Sequence, residues 1–219
     1  MKKKNTKTIL VALGTLVAFA LWTFLIRCVD VQPIGPNGSR VGFAAINGAF
    51  HALTGVHWAL YTLTDWLGLV PIGIALGFAV LGLVQLIRRK SLLKVDRDIL
   101  ILGGFYIVVL AAYLLFETVV INFRPVLIDG KLEASYPSST TMLALCILPT
   151  AMIQLKTRIR SDAVRRAILG ILAAFTVFMV VGRLISGVHW LTDIIGGVLL
   201  SVGLVMLYAF ATKRQGKSR

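Results

Sequence analysis

The chain has 219 residues, 58% of them hydrophobic, and a formal net charge of +14. A soluble domain of this size is usually nearer half apolar, so the composition, with a mean hydropathy of +0.87, points to a polytopic membrane protein. The basic residues fall in short blocks between apolar runs, so the charge calls for no nucleic-acid partner.

A spanning helix needs roughly 20 mostly apolar residues, and the sequence predicts an all-α bundle of six transmembrane helices. The first is Ile9–Ile26. It follows the basic start "MKKKNTK" as a signal peptide would, but the run is long and no small-x-small cleavage site follows, so it reads as an uncleaved anchor. Residues 41–66 are moderately apolar and rich in aromatic side chains, which concentrate at membrane interfaces. They read as one or two helices lying along the outer surface. The tetrapeptide GVHW occurs there at 55–58 and again at 187–190, a match short enough to read as chance. The later spans are Leu67–Ile87 with Pro71 in its first turn, Ile99–Val120, Thr140–Leu155 with Pro149 inside, Ala167–Leu184 and Leu191–Ala211. The expected organisation is an anchor and external segment over 1–66, a core over 67–211 and a basic tail over 212–219.

Lysine and arginine set the orientation. Blocks occur at Lys2–Lys7, Arg88–Arg97, Lys156–Arg166 and Lys213–Arg219, all on one side of a six-span chain. The positive-inside rule places that side, and both termini, in the cytoplasm of a plasma-membrane protein. Cytoplasmic loops beside anionic lipids then account for the charge. Cys28 and Cys146 lie far apart at or within apolar segments and suggest neither a disulfide nor a metal site.

The basic residues left over are the informative ones. Arg124 stands in "NFRP" after the third span, and Arg183 in "GRLISGVHWLTD" at the outer end of the fifth. His189 and Asp193 follow, at a spacing that puts two side chains on one helical face. Asp193 would then hold one imidazole nitrogen and leave the other free as nucleophile or base; the same pair equally suits a polar stitch at a helix end. Two arginines fit bidentate phosphate binding, or snorkelling at helix ends. "SYPSSTT" at 135–141 reads as a loop feeding a helix, with Ser138 or Ser139 as N-cap and free N–H groups that also suit an anion.

Together these residues resemble the type-2 phosphatidic acid phosphatase (PAP2) family, related to vanadium haloperoxidases, whose signature runs K-x6-R-P, P-S-G-H and S-R-x5-H-x3-D. The third motif is present with Gly182 in place of serine. The first keeps Arg124 and Pro125 but has Glu117 for lysine; the second keeps Pro137 and Ser138 but has Ser139 for glycine and Thr140 for histidine. The resemblance implies a membrane phosphatase acting on a lipid phosphomonoester or diphosphate, of phosphatidate or polyprenyl diphosphate type, at the external face, with no cofactor or metal. It implies His189 as nucleophile and Asp193 as its orienting partner. Arg124, Arg183 and Ser138, with the backbone through Ser139 and Thr140, would hold phosphate. Thr140 cannot replace the histidine that protonates the leaving group. The substrate is then a diphosphate that needs less help, or another group supplies the proton (Glu117, Glu133, Asp129, His51 or His57), or the protein binds or transports a phosphorylated lipid without turnover. Glu117 and His57 stand as modulators, with a Glu117–Arg124 pair expected if the helix continues between them. No inverted repeat supports a transporter.

Overall fold

The computed structural model describes the backbone of residues 2–213 and the side chains of 6–212. The expected tail beyond Lys213 and the charges of Lys2, Lys3 and Lys4 lie outside the described residues. The described chain forms eight α-helices: α1 Lys2–Cys28, α2 Ala44–Thr54, α3 Trp58–Leu67, α4 Leu69–Arg89, α5 Arg97–Thr118, α6 Ser139–Arg158, α7 Asp162–Ile185 and α8 Leu191–Lys213. Six stretches are long and apolar enough to cross a membrane, and the protein is a multi-pass membrane protein.

Burial separates the spans. Only 6% of the apolar window in Trp58–Arg89 is buried within the protein, against 56% in Ser139–Arg158. The first therefore presents its aliphatic side chains to lipid, while α6 stands at the centre. Central position explains why α6 is the least apolar span: Thr150 and Gln154 are buried against protein, where they find partners that lipid would not supply. Thr150 donates to Cys146 O at 2.7 Å, and Gln154 donates to Tyr208 Oη. Leu102, Phe105 and Val109 of α5, Met142 and Cys146 of α6, and Leu200, Leu204 and Tyr208 of α8 form the main core. A Cβ at Gly203 would lie 2.7 Å from Leu16, so glycine lets α1 lie along α8.

The segment 41–66 forms two helices. The second, α3, passes through Gly68 (φ −60°, ψ −20°), whose backbone is itself helical, straight into α4, so Trp58–Arg89 is one apolar stretch of 32 residues. The first, α2, packs on the start of α8. There Asn47 Oδ1 accepts from Thr192 N at 3.2 Å, satisfying an N–H that a helix start leaves free, and Asn47 Nδ2 donates to Thr192 Oγ1 at 3.0 Å. At the basic end, Arg158 pairs with Asp98 and Arg89 with Asp96, both at 2.7 Å, tying together the loops that carry the positive blocks. The opposite end gathers the starts of α6 and α8 and the ends of α5 and α7.

Candidate active site

His189 lies in the turn between α7 and α8, not on a helix, because α8 begins at Leu191. This corrects the expected one-face pairing with Asp193. The serine hydroxyl of Ser135 stands between the two instead: Oγ is 2.9 Å from His189 Nδ1 and donates to Asp193 Oδ2 at 2.5 Å. Asp193 also accepts from Trp190 N and, on Oδ1, from Asn122 Nδ2, both at 3.0 Å. Sequence reading missed Ser135 and Asn122. Neither belongs to a spaced motif, though Ser135 opens the hydroxyl cluster. The turn is fixed from outside by Gly187 (φ 71°), where a Cβ would fall 1.9 Å from Gly55 O. The GVHW copies thus lie backbone to backbone, with His57 N donating to Ser186 O at 3.0 Å.

Arg124 follows α5 in an extended segment bridged at Phe123–Ala134. Its Nη1 lies 3.4 Å from His189 Nε2. Glu133 Oε2 stands 3.2 Å from Arg124 Nε, an ion pair lying off the N–H axis, so that Nε has no hydrogen-bond partner. The expected Glu117–Arg124 pair does not form, because α5 ends at Thr118 and the chain turns between them. Arg183 is 1% exposed and reaches into α3 rather than snorkelling. It donates to Tyr61 O, Thr64 Oγ1 and Asp65 Oδ1, each at 3.3 Å, and lies 4.8 Å above the Tyr61 ring. These contacts sit beyond the ordinary hydrogen-bond range, so the guanidinium is only loosely engaged. Arg124 Nε, Arg183 Nε and Ser138 Oγ are buried without hydrogen-bond partners. Such a group costs about 1–3 kcal/mol, and this set of donors suits an anion. Burial first, then the charges of Arg124 and Arg183, hold the His189 imidazole well below its usual range, against an opposing backbone hydrogen bond with Ser135. That direction favours the neutral ring.

A PAP2 superfamily profile matches residues 104–217, more than half of the chain and the whole of this constellation from Asn122 to Asp193. The chain belongs to the PAP2 superfamily. Its fold is similar to that of a transmembrane PAP2-type phosphatidylglycerolphosphate phosphatase from Bacillus subtilis: TM-score 0.60 at 19% identity, covering 95% of this chain and 98% of that one. No curated protein matches the sequence significantly.

Against the PAP2 signature, the departures have local settings. At Gly182, a Cβ would lie 2.8 Å from Thr64 Cγ2, so the motif's serine position has yielded to the approach of α3, whose Thr64 takes a bond from Arg183. Ser138 occupies the N-cap position of α6, but its side chain makes no cap, and Oγ is left buried without a partner. The second-motif loop is anchored by Tyr136, whose hydroxyl meets Thr23 Oγ1 at 2.7 Å and whose ring lies where a Cβ on Gly196 would sit. Thr140 is buried with its methyl 3.6 Å from the Cβ position of Gly68. Glu117 shares a narrow cleft with Tyr113, Ser135, Ser139 and His189. His57 is turned away from these groups, with Nε2 bonded to Thr54 O at 2.9 Å.

Proposed function

We propose that this PAP2 protein is a lipid phosphatase whose nucleophile is His189 Nε2. The observation that carries the reading is the state of the imidazole. Ser135 Oγ donates to Asp193 and so accepts from the ring: Nδ1 carries the proton toward Ser135, and Nε2, facing Arg124 Nη1 at 3.4 Å, keeps its lone pair. A neutral nucleophile flanked by two buried arginines matches phosphoryl transfer, which relies on positioning and on positive charge around the equatorial oxygens.

In the proposed reaction Nε2 forms the N–P bond as the P–O bond to the lipid breaks and its electron pair leaves with the oxygen. Nδ1 keeps its proton. Water then forms a P–O bond, the N–P bond breaks, phosphate is released and the neutral ring returns. Arg124, Arg183, Ser138 and the N–H groups at Ser139 and Thr140 hold the phosphoryl oxygens. Asp65 and Glu133, both half-exposed, must give up the arginines as phosphate arrives.

Thr140 offers no usable proton, and a general acid is worth about 10²–10⁴ in rate. This favours a lipid diphosphate, such as a polyprenyl diphosphate, which expels a phosphate monoester, over a phosphatidate-type monoester, which expels an alkoxide. We place the site at the external face and both termini in the cytoplasm, from the basic blocks. The organisation into an N-terminal anchor, a catalytic core and a basic tail is part of the same reading.

The deciding experiment measures phosphate release by detergent-purified wild type and His189→Ala on a panel of lipid phosphates and diphosphates. Release lost in the variant supports the reading, and equal rates would overturn it. Binding of the same lipids without release by wild type would establish a binding protein instead. Cysteine at position 131, with Cys28 and Cys146 replaced, should react with an impermeant reagent on intact cells; labelling only after permeabilisation would reverse the topology.

A further inference from the structure

We propose that Ser135 is a positioning residue that relays Asp193 to His189 and fixes the imidazole in one tautomer, an inference that rests on His189 being the nucleophile. A hydroxyl has one proton to give. Ser135 gives it to Asp193 Oδ2 at 2.5 Å, a distance typical of a bond to a charged acceptor. The oxygen facing Nδ1 at 2.9 Å is therefore an acceptor, and Nδ1 must carry hydrogen. On the far side of the ring Arg124 Nη1, which can only donate, faces Nε2 at 3.4 Å, a looser contact compatible with the same tautomer.

The surroundings leave Ser135 little choice. It is 3% exposed, and its backbone N donates to Asn122 O at 2.9 Å. The side chain of that same Asn122 holds Asp193 Oδ1. Three residues on, Ser138 N donates to Asp193 O at 3.2 Å. The serine is thus clamped between the segment carrying Arg124 and the start of α8. Asp193, with both oxygens already bonded, reaches the ring through the hydroxyl. When the N–P bond forms, positive charge grows on the ring while Nδ1 keeps its proton; the Ser135 dipole, itself oriented by Asp193, stabilises that charge. A 1 Å misplacement of a reacting group costs on the order of 10² in rate, and this sets the scale expected on losing the hydroxyl.

The test uses Ser135→Ala and the conservative Ser135→Thr in the full-length protein. With three histidines in the chain, ¹⁵N-histidine NMR in micelles can read the His189 tautomer after assignment with His189→Ala. Wild type should show the proton on Nδ1, and Ser135→Ala a mixture of tautomers. In the phosphate-release assay Ser135→Ala should lose about 10² in kcat with KM nearly unchanged, and Ser135→Thr should recover most of it. Wild-type protein with the proton on Nε2 would overturn the proposal whether or not either variant folds. So would Ser135→Ala with wild-type kcat and tautomer, since Asp193 would then act without the serine. The tautomer is read without turnover, so an inactive wild type would remove the phosphatase reading while leaving the relay measurable.

Discussion

The same four residues, GVHW, occur twice, touch, and do different things. Each copy follows a helix, opens with a glycine at positive φ (65° at Gly55, 71° at Gly187) and leads into the next helix. In the first, His57 is exposed and bonded to a carbonyl three residues back, and Trp58 is 50% exposed. In the second, His189 is 3% exposed, bonded to Ser135 and faced by Arg124, and Trp190 donates to Phe123 O at 2.7 Å. The tetrapeptide supplies a turn with a histidine in it. What surrounds the turn decides whether that histidine is buried, bonded to a serine and faced by a cation.

The sharpest way to break the comparison is to exchange the losses. If His189 is the proposed nucleophile, His189→Ala should reduce phosphate release by ~10³ or more. His57→Ala should stay within about twofold, since a surface substitution away from the site disturbs little. Comparable losses in both would mean that the two copies share the chemistry.

The glycines give the next contrast. Gly187→Ala adds a methyl 1.9 Å from Gly55 O, whereas a Cβ at Gly55 meets nothing within 4 Å. Backbone strain alone costs about 1–3 kcal/mol at either position. Thermal unfolding in detergent should therefore show Gly187→Ala the more destabilised, with activity lost as the His189 turn is pushed away. Equal shifts in melting temperature would show that the backbone contact between the copies carries no strain.

The pH dependence should be smaller but characteristic. Protonation removes the lone pair of Nε2, and burial with two arginines lowers the tendency of His189 to take that proton. The depressed value keeps the neutral ring present at acidic pH. kcat/KM should therefore hold as pH drops through 6.5 and fall only well below it. An acid limb at the ordinary histidine position would mean that burial and the two arginines do not govern the His189 ring.

The smallest effect should come from Glu133→Gln, which frees Arg124 from its exposed partner. Pairs of this kind are worth about 0.2–1 kcal/mol. Inhibition by inorganic phosphate should strengthen two- to fivefold or so, and weaker inhibition would mean that Glu133 orients the arginine rather than competing for it.

Much of the fold was legible along the chain. Spans and their alternation follow from runs of apolar residues long enough to cross a bilayer, and such runs are local. Arg124, Arg183, His189 and Asp193 stood out for a similar reason: charge beside apolar sequence is costly, so it is conspicuous. Ser135 and Asn122 were not conspicuous. A serine in a hydroxyl-rich loop and an asparagine after a helix are ordinary residues, and their role exists only once 54 and 71 residues of separation have been closed. Glu117 shows the converse, since helical spacing promised it Arg124 and the end of α5 at Thr118 withdrew it.

The membrane class, the six spans and the conspicuous candidates Arg124, Arg183, His189 and Asp193 follow from the chain alone, because hydrophobicity and charge are properties of the residues. Packing alone sets Ser135 between His189 and Asp193, brings Glu133 and Asp65 to the arginines, and builds one GVHW turn into the candidate site while its twin supports it from outside. Those relations depend on distances of a few ångströms between segments far apart in the chain, which packing sets and local sequence does not encode.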